Sequence, residues 1–353
     1  MCVALAGTIG ALALPVAAQA STKQVFMGVP PTAQKAFAKY DTDVNGFFPS
    51  ATTIHVGDKV RFIPVGFHDV DFPAKGAGPV PFNVPNGQKV ADAIDAAGVP
   101  FWFNGQDMVG LNPALFPNLY GKGATYNGKS RVVSGLPLGD KPGPATLTFS
   151  RKGTFTYHCD IHEGMKGKVN VVAKTAKAPT AKDDAKVVKR MVARDLAIAQ
   201  SLVKKTVPAA TVDVGEAGSF GVEFLGFLPR NLTVPTGTAL TFRMTKGSFD
   251  AHTATTGPGD PETEPDSYLG KLAKSYESPV TDPAGLYPSD PAGAPASLTP
   301  QTHGNGFWNS GRMDTAPSSP SPSSNSVRFD APGTYEVYCL VHQFMHGTVT
   351  VTD

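Results

Sequence analysis

The sequence predicts an all-β protein of two similar domains with a helix between them. Three observations carry that prediction. Glycine and proline are abundant, 37 and 32 of 353 residues, which suits a loop-rich β architecture better than a helical one. One module is written twice, with its features in the same order. Between the two copies lies a stretch of helical periodicity. The length suits two or three domains, each able to bury a core. A formal charge of +2, with no long basic run, disfavours nucleic acid as a partner.

Residues 1–20, MCVALAGTIGALALPVAAQA, are apolar and close on Ala18-Gln19-Ala20. That small–x–small ending marks a signal-peptidase site, so cleavage is expected after Ala20, giving a periplasmic or extracellular protein. The positive n-region is missing, since the first basic residue is Lys23. A membrane anchor is the alternative, because a span needs about 20 apolar residues. No other stretch is long enough, so no membrane span is expected in the mature chain. Cys2 leaves with the leader, and the mature chain keeps Cys159 and Cys339. They sit in matching motifs far apart in sequence, where a disulfide is the poorer reading.

The repeat begins with FPSATTIHVGDKVRF (48–62) and LPRNLTVPTGTALTF (228–242), which align without a gap. Pro49 matches Pro229, Gly57 matches Gly237, and Phe62 matches Phe242, with apolar residues alternating on either side of a Gly turn. Ser134-Gly135 then parallels Ser310-Gly311. Next come ATLTFSRKGTFTYHC and NSVRFDAPGTYEVYC, each a strand, a Gly turn and a strand that ends on cysteine. The expected domains are 22–173 and 209–353, joined by a linker over 174–208. Within the linker, Thr180 caps a helix, Asp183 and Asp184 sit in its first turn, and Lys204 and Lys205 close it. Ala185, Val188, Val192, Leu196, Ala199 and Val203 form an apolar stripe for docking on a domain. Segment 257–300, rich in Pro, Ser, Asp and Ala, reads as an excursion too polar to be core.

Each module ends in an unusual turn. FTYHCDIHEGMKGKVNVV (155–172) holds Cys159, His162 and Met165, and YEVYCLVHQFMHGTVTV (335–351) holds Cys339, His342 and Met345 at the same spacing. Thiolate and imidazole bind borderline-soft ions, and a thioether adds preference for copper over zinc. No CxxC pair or four-ligand Cys/His cluster suggests a structural zinc site. Two His and one Cys in a plane with a long axial Met describe a type 1 blue-copper site. The missing histidine must come from upstream. His55 aligns with Pro235 and drops out. His68 lies 91 residues before Cys159 and His252 lies 87 before Cys339, and that near-equality selects them.

On these residues both halves resemble the cupredoxins, the plastocyanin and azurin family of blue copper proteins. The resemblance spans nearly the whole mature chain except the linker helix and 257–300. It implies two Greek-key β-sandwiches, each with a copper ion at one end. His68, Cys159, His162 and Met165 would hold one ion; His252, Cys339, His342 and Met345 would hold the other. It also implies electron transfer between redox protein partners, with His162 and His342 as the surface port. The family often has Asn after the upstream His; here Asp69 and Thr253 stand there, a change expected to alter hydrogen bonding near the thiolate. The two sites are expected to differ in potential. Asp69 places a carboxylate where Thr253 has a hydroxyl, which favours the more positive ion in the first site, while Lys166 opposes it.

Enzymes with linked domains of this kind are the alternative. A trinuclear oxidase cluster takes eight histidines in H-x-H pairs with an H-C-H turn. This chain has eight His altogether and neither pattern. Nitrite reductase is nearer, because His158 precedes Cys159 and Asp71 follows His68 by three. The next ligand position, however, holds Pro73, and Tyr338 replaces His158 in the second half. A copper storage or delivery protein is the third reading, opposed by the single defined ligand set per domain. No catalytic residues are expected.

Overall fold

The computed structural model describes residues 20–139 and 141–353. The expected signal peptide, Cys2 included, lies outside the described residues except for Ala20. The described chain is mostly β. Among these residues, no helix is long and apolar enough to cross a membrane.

Each half packs two sheets face to face. In the first half, one sheet orders Phe47–Phe48, Thr22–Met27, Lys59–Pro64, Ala145–Phe149 and Gly123–Tyr126. The facing sheet orders Val132–Val133, Asp71–Phe72, Gly153–His158, Lys166–Val172 and Ala51–His55. Alternation of buried and open residues along Lys59–Pro64 and Lys166–Val172 sends Val60, Phe62, Val169 and Val171 inward. There they meet Phe72, Leu147, Phe149 and Tyr157. The strands either side of Gly57 do not pair with each other. They leave the turn for opposite sheets, so the Gly-centred turn crosses the sandwich, as it does at Gly237.

The second half repeats this plan. Ala296–Leu298, Ser324–Phe329, Thr238–Arg243, Thr211–Ala217 and Val222–Leu228 form one sheet. Asn231–Pro235, His346–Thr352, Gly333–Tyr338, Thr255–Thr256 and Trp308–Asn309 form the other. The first of these sheets gains an edge strand from the first half. Thr42–Val44 pairs antiparallel with Val222–Leu228, with Val44 opposite Val222 and Asp43 opposite Glu223. The halves interleave.

The linker helix spans Ala181–Leu202. Thr180 caps it in a capping box with Asp183. It stops before Lys204 and Lys205, which lie beyond the cap at Val203 and leave no basic residue in the last turn. Its buried edge runs Val188, Val192, Leu196, Ala199 and Leu202 onto Phe37, Phe48, Val222 and Phe224, which come from both halves. Ala185 stays exposed. The excursion departs further from the sequence reading. Residues Tyr268–Ser275 form a helix that buries Leu269, Leu272 and Ala273 against Phe101 and Phe103 of a first-half insertion, and against Leu340. The two insertions also pair along their backbones, with Leu111 N–H donating to Pro279 and Thr281 N–H to Val109. The excursion's Pro-, Ser-, Asp- and Ala-rich composition hid a small core, because its apolar partners lie in the other half.

Truncating a buried contact of the linker helix tests how far docking holds the halves together. Leu202→Ala is expected to cost about 2–5 kcal/mol in denaturant unfolding, whereas Ala185→Ser stays within about 0.5 kcal/mol.

Candidate metal centres

The strand Gly153–His158 runs antiparallel to Lys166–Val172, and Cys159, His162 and Met165 fill the turn between them. The turn is tied by its own backbone. Cys159 N–H donates to the Met165 carbonyl at 3.0 Å, and Met165 N–H to the His162 carbonyl at 3.0 Å. The second half closes the same way, Cys339 to Met345 at 3.0 Å and Met345 to His342 at 2.8 Å. The C-x2-H-x2-M spacing is therefore the length of one hydrogen-bonded turn. Met165 and Met345 are buried on it.

The upstream histidines arrive on a loop held by the repeated Ser-Gly pair. Val70 N–H donates to Ser134 Oγ at 2.9 Å, and Ala254 N–H to Ser310 Oγ at 2.8 Å, each two residues past the histidine. Asp69 and Thr253 do one job with different groups. Asp69 Oδ1 accepts from Asp160 N–H at 2.7 Å, and Thr253 Oγ1 accepts from Leu340 N–H at 2.8 Å. Each ties the histidine loop to the residue after the cysteine.

The donors converge in both halves. His68 Nδ1 lies 3.0 Å from His162 Nδ1, and Cys159 Sγ lies 3.9 and 3.5 Å from the two nitrogens. His252 Nδ1 lies 3.1 Å from His342 Nδ1 and 3.8 Å from Cys339 Sγ. A metal with bonds of about 2.0 Å to nitrogen and about 2.3 Å to sulfur, spread at 120°, places its donors about 3.5–3.7 Å apart. The sulfur–nitrogen spacings match a trigonal ion, the paired nitrogens stand about 0.4–0.5 Å closer than it would hold them, and the soft donor set with a buried thioether alongside suits copper. Neither cysteine is in a disulfide.

Electrostatics separate the two pockets. Burial, then Asp69, pushes the Cys159 thiol well above its ordinary value. Burial also opposes the Cys339 thiolate, but hydrogen bonds and charge from His252 and His342 outweigh it and hold that thiol well below the ordinary value. Burial and then Asp160 raise Asp69 well above the carboxylate range. Burial lowers His68, with His162 adding to it.

Two features were missed in sequence. Gly215, at φ +73°, leaves room for the ligand ring, since a Cβ there would sit 2.5 Å from His252 Nε2. Gly28 serves His68 similarly, a Cβ lying 3.2 Å from its Cδ2. Their signal was a glycine at matching places near the end of each half's first strand. The other is Asp250, whose Oδ1 lies 3.1 Å from His162 Nε2 and 3.7 Å from His342 Nε2. Its signal was a carboxylate two residues before His252, where the first half has Gly66. The expected port residues, His162 and His342, are the most exposed of each ligand set, their side chains 11% and 19% exposed, and both face one carboxylate.

The remaining histidines lie elsewhere. His55 meets Asp58 and the Ala176 carbonyl. His303 lies 3.0 Å from Asp95 and 3.7 Å from Asp290. His158 is paired across the strands with Asp71 and Lys166, and His346 is exposed. Asp71 is matched to Arg131 at 2.6 Å, and burial with Asp160 raises it to about 7.

Gly215→Ala is expected to displace the His252 ring and weaken metal binding at the second centre more than tenfold. The first centre keeps its affinity, which a titration resolving the two centres would show.

No protein-family model matches the sequence, and no curated protein is significantly similar to it. Similar solved structures include a purple cupredoxin from Nitrosopumilus maritimus, 16% identical over 40% of this chain and 98% of that one, with a TM-score of 0.20. Auracyanin B is 19% identical over 42% and 93%, at 0.25. The oxidised form of plastocyanin from Dryopteris crassirhizoma is 22% identical over 40% and 99%, at 0.21. On its own sheets and their order, each half of this chain is a two-sheet β-sandwich that carries a His-Cys-His cluster.

Proposed function

We propose that the protein is an exported blue copper electron carrier with two type 1 sites, one in each half of an internally duplicated chain. The observation that carries this reading is the pair of matched clusters. In each, two imidazole nitrogens and a thiol sulfur face one another within 4.8 Å, with a buried methionine on the same turn. Two ring nitrogens at 3.0 Å need a shared proton or a cation between them, and with the thiol and thioether beside them a soft metal ion fits that place. Copper supplies one-electron chemistry, and the rigid turn keeps the donor set in place through the change of charge. The partners on this reading are a redox donor and a redox acceptor.

Copper titration of the leader-free chain, followed by absorbance and electron paramagnetic resonance, tests it. Two type 1 coppers per chain are expected, with intense thiolate-to-Cu(II) absorption. Cys159→Ser and Cys339→Ser should each remove one copper and part of the blue band. Saturation at one copper defeats the two-site reading. Nitrite reduction or oxygen-consuming oxidation of phenols at enzymatic turnover would instead favour the oxidoreductase.

The two centres should also have unequal midpoint potentials. Asp69 against Thr253, Glu163 against Gln343 and Lys166 against His346 place different groups around matched ligands, and outer groups tune a blue site. Redox titration of the two Cys→Ser variants isolates each centre. Indistinguishable midpoints would remove the idea of two distinct stations.

A further inference from the structure

Asp250 occupies a place that neither half explains alone. His162 and His342 point Nδ1 into their own donor clusters, and both turn Nε2 toward Asp250 Oδ1, at 3.1 and 3.7 Å. Each imidazole therefore spans from a metal pocket to the same carboxylate oxygen. The other oxygen, Oδ2, accepts from Asn45 Nδ2 at 2.8 Å. Asn45 directly follows Thr42–Val44, the first-half strand that pairs with the second half's sheet, and its N–H donates to the Gly221 carbonyl at 2.8 Å. A carboxylate from one half is thus anchored by an amide from the other and touches ligands of both.

Asp250 is buried, and a carboxylate buried this far is kept only where it is paired and hydrogen-bonded. Its partners are the His162 ring and the Asn45 amide, both from the first half. The neighbouring Glu223 takes its own bonds from Ser248 Oγ and Phe249 N–H.

We propose that Asp250 joins the two metal centres into one coupled unit, a single carboxylate orienting both His162 and His342 so that occupancy or charge at either centre is felt at the other. This rests on the reading of both clusters as metal sites. A ligating imidazole that gives its outer N–H to a carboxylate is fixed in tautomer and made more basic, and losing such a partner costs about 10–100-fold in metal affinity. Here one oxygen meets the His162 ring at 3.1 Å and lies within ion-pair reach of the His342 ring at 3.7 Å. A cation at one centre draws on the negative charge that the other needs, so the second ion binds more weakly than the first. Linkage makes that penalty the same in either order of filling.

The test uses the full leader-free chain and Co(II), whose thiolate charge-transfer band reports binding without oxidising the cysteine. The Cys339→Ser and Cys159→Ser backgrounds isolate each centre. Asp250→Asn should weaken Co(II) binding about 10–100-fold at the first centre and by less at the second, and raise both copper midpoint potentials, because a lost anion disfavours Cu(II). Asn45→Ala, which frees the carboxylate without removing it, should shift both affinities the same way by less. In the otherwise unsubstituted chain the gap between first and second Co(II) affinities should narrow with Asp250→Asn. A change confined to the second-half centre, or none, overturns the coupling while leaving two metal sites standing. If Asp250→Asn loses its folded circular dichroism, unchanged affinities in Asn45→Ala overturn it. A parent chain that binds neither Co(II) nor copper removes the two-site reading and the coupling with it.

Discussion

The constraint on which the structure turns is the convergence of two imidazole nitrogens and a sulfur into a space where they repel or leave one another unsatisfied. Nitrogens 3.0 and 3.1 Å apart need a shared proton or a cation between them, and the backbone must hold them there. Both requirements shape the fold. The ligand turn is locked by two of its own hydrogen bonds, the histidine loop is pinned by a serine across the sheet, and loop and turn are bridged by Asp69 or Thr253. A glycine at the matching place near the end of each half's first strand then leaves room beside the ring, Gly215 against His252 and Gly28 against His68 and the Val65 carbonyl. Such support lowers the entropy lost when a metal binds, since little remains to be ordered.

Interleaving of the halves follows from how each buries its exposed edges. Thr42–Val44 covers the edge of the second half's sheet, as edge strands generally need. The linker helix lies over the seam with Ala199 and Leu202 inward. Insertions from both halves share Phe101, Phe103, Leu269 and Leu272. Three separate contacts fix one half against the other, and that fixity is what lets a residue as short as aspartate reach ligands in both. A flexible linker between two independent sandwiches could not hold a 3.1 Å contact between His162 and Asp250.

What was legible in sequence was what the repeat made redundant. Six of the eight proposed ligands came from two copies of one spacing and the upstream histidines from their near-equal distances to it, and the structure gathers the two His-Cys-His sets. The Ser-Gly pair was visible as a correspondence, although its role in pinning the histidine loop needed coordinates. Features that break the repeat were harder to read. Asp250 stands opposite Gly66, Gly164 opposite Phe344, and the two insertions have unlike sequences. Their meaning depends on contacts between halves, and no local period encodes those. Segment 257–300 was misjudged for the same reason: its apolar residues look sparse until Phe101 and Phe103 are set against them.

The broken symmetry also gives the two centres different surroundings at their openings. In the first half the turn carries Gly164, over which Phe249 of the second half lies so closely that a Cβ would come within 2.5 Å of its ring. In the second half the matching position is Phe344, half exposed, with its ring centroid 6.1 Å from that of His342. An aromatic side chain standing in solvent beside a ligand offers a partner an apolar contact near the metal, whereas a glycine beneath a neighbour's ring does not. On the electron-carrier reading the second centre is therefore the better placed for exchange with an outside protein. The first centre, sheltered at the seam and tied to the second through Asp250, is placed to communicate inward.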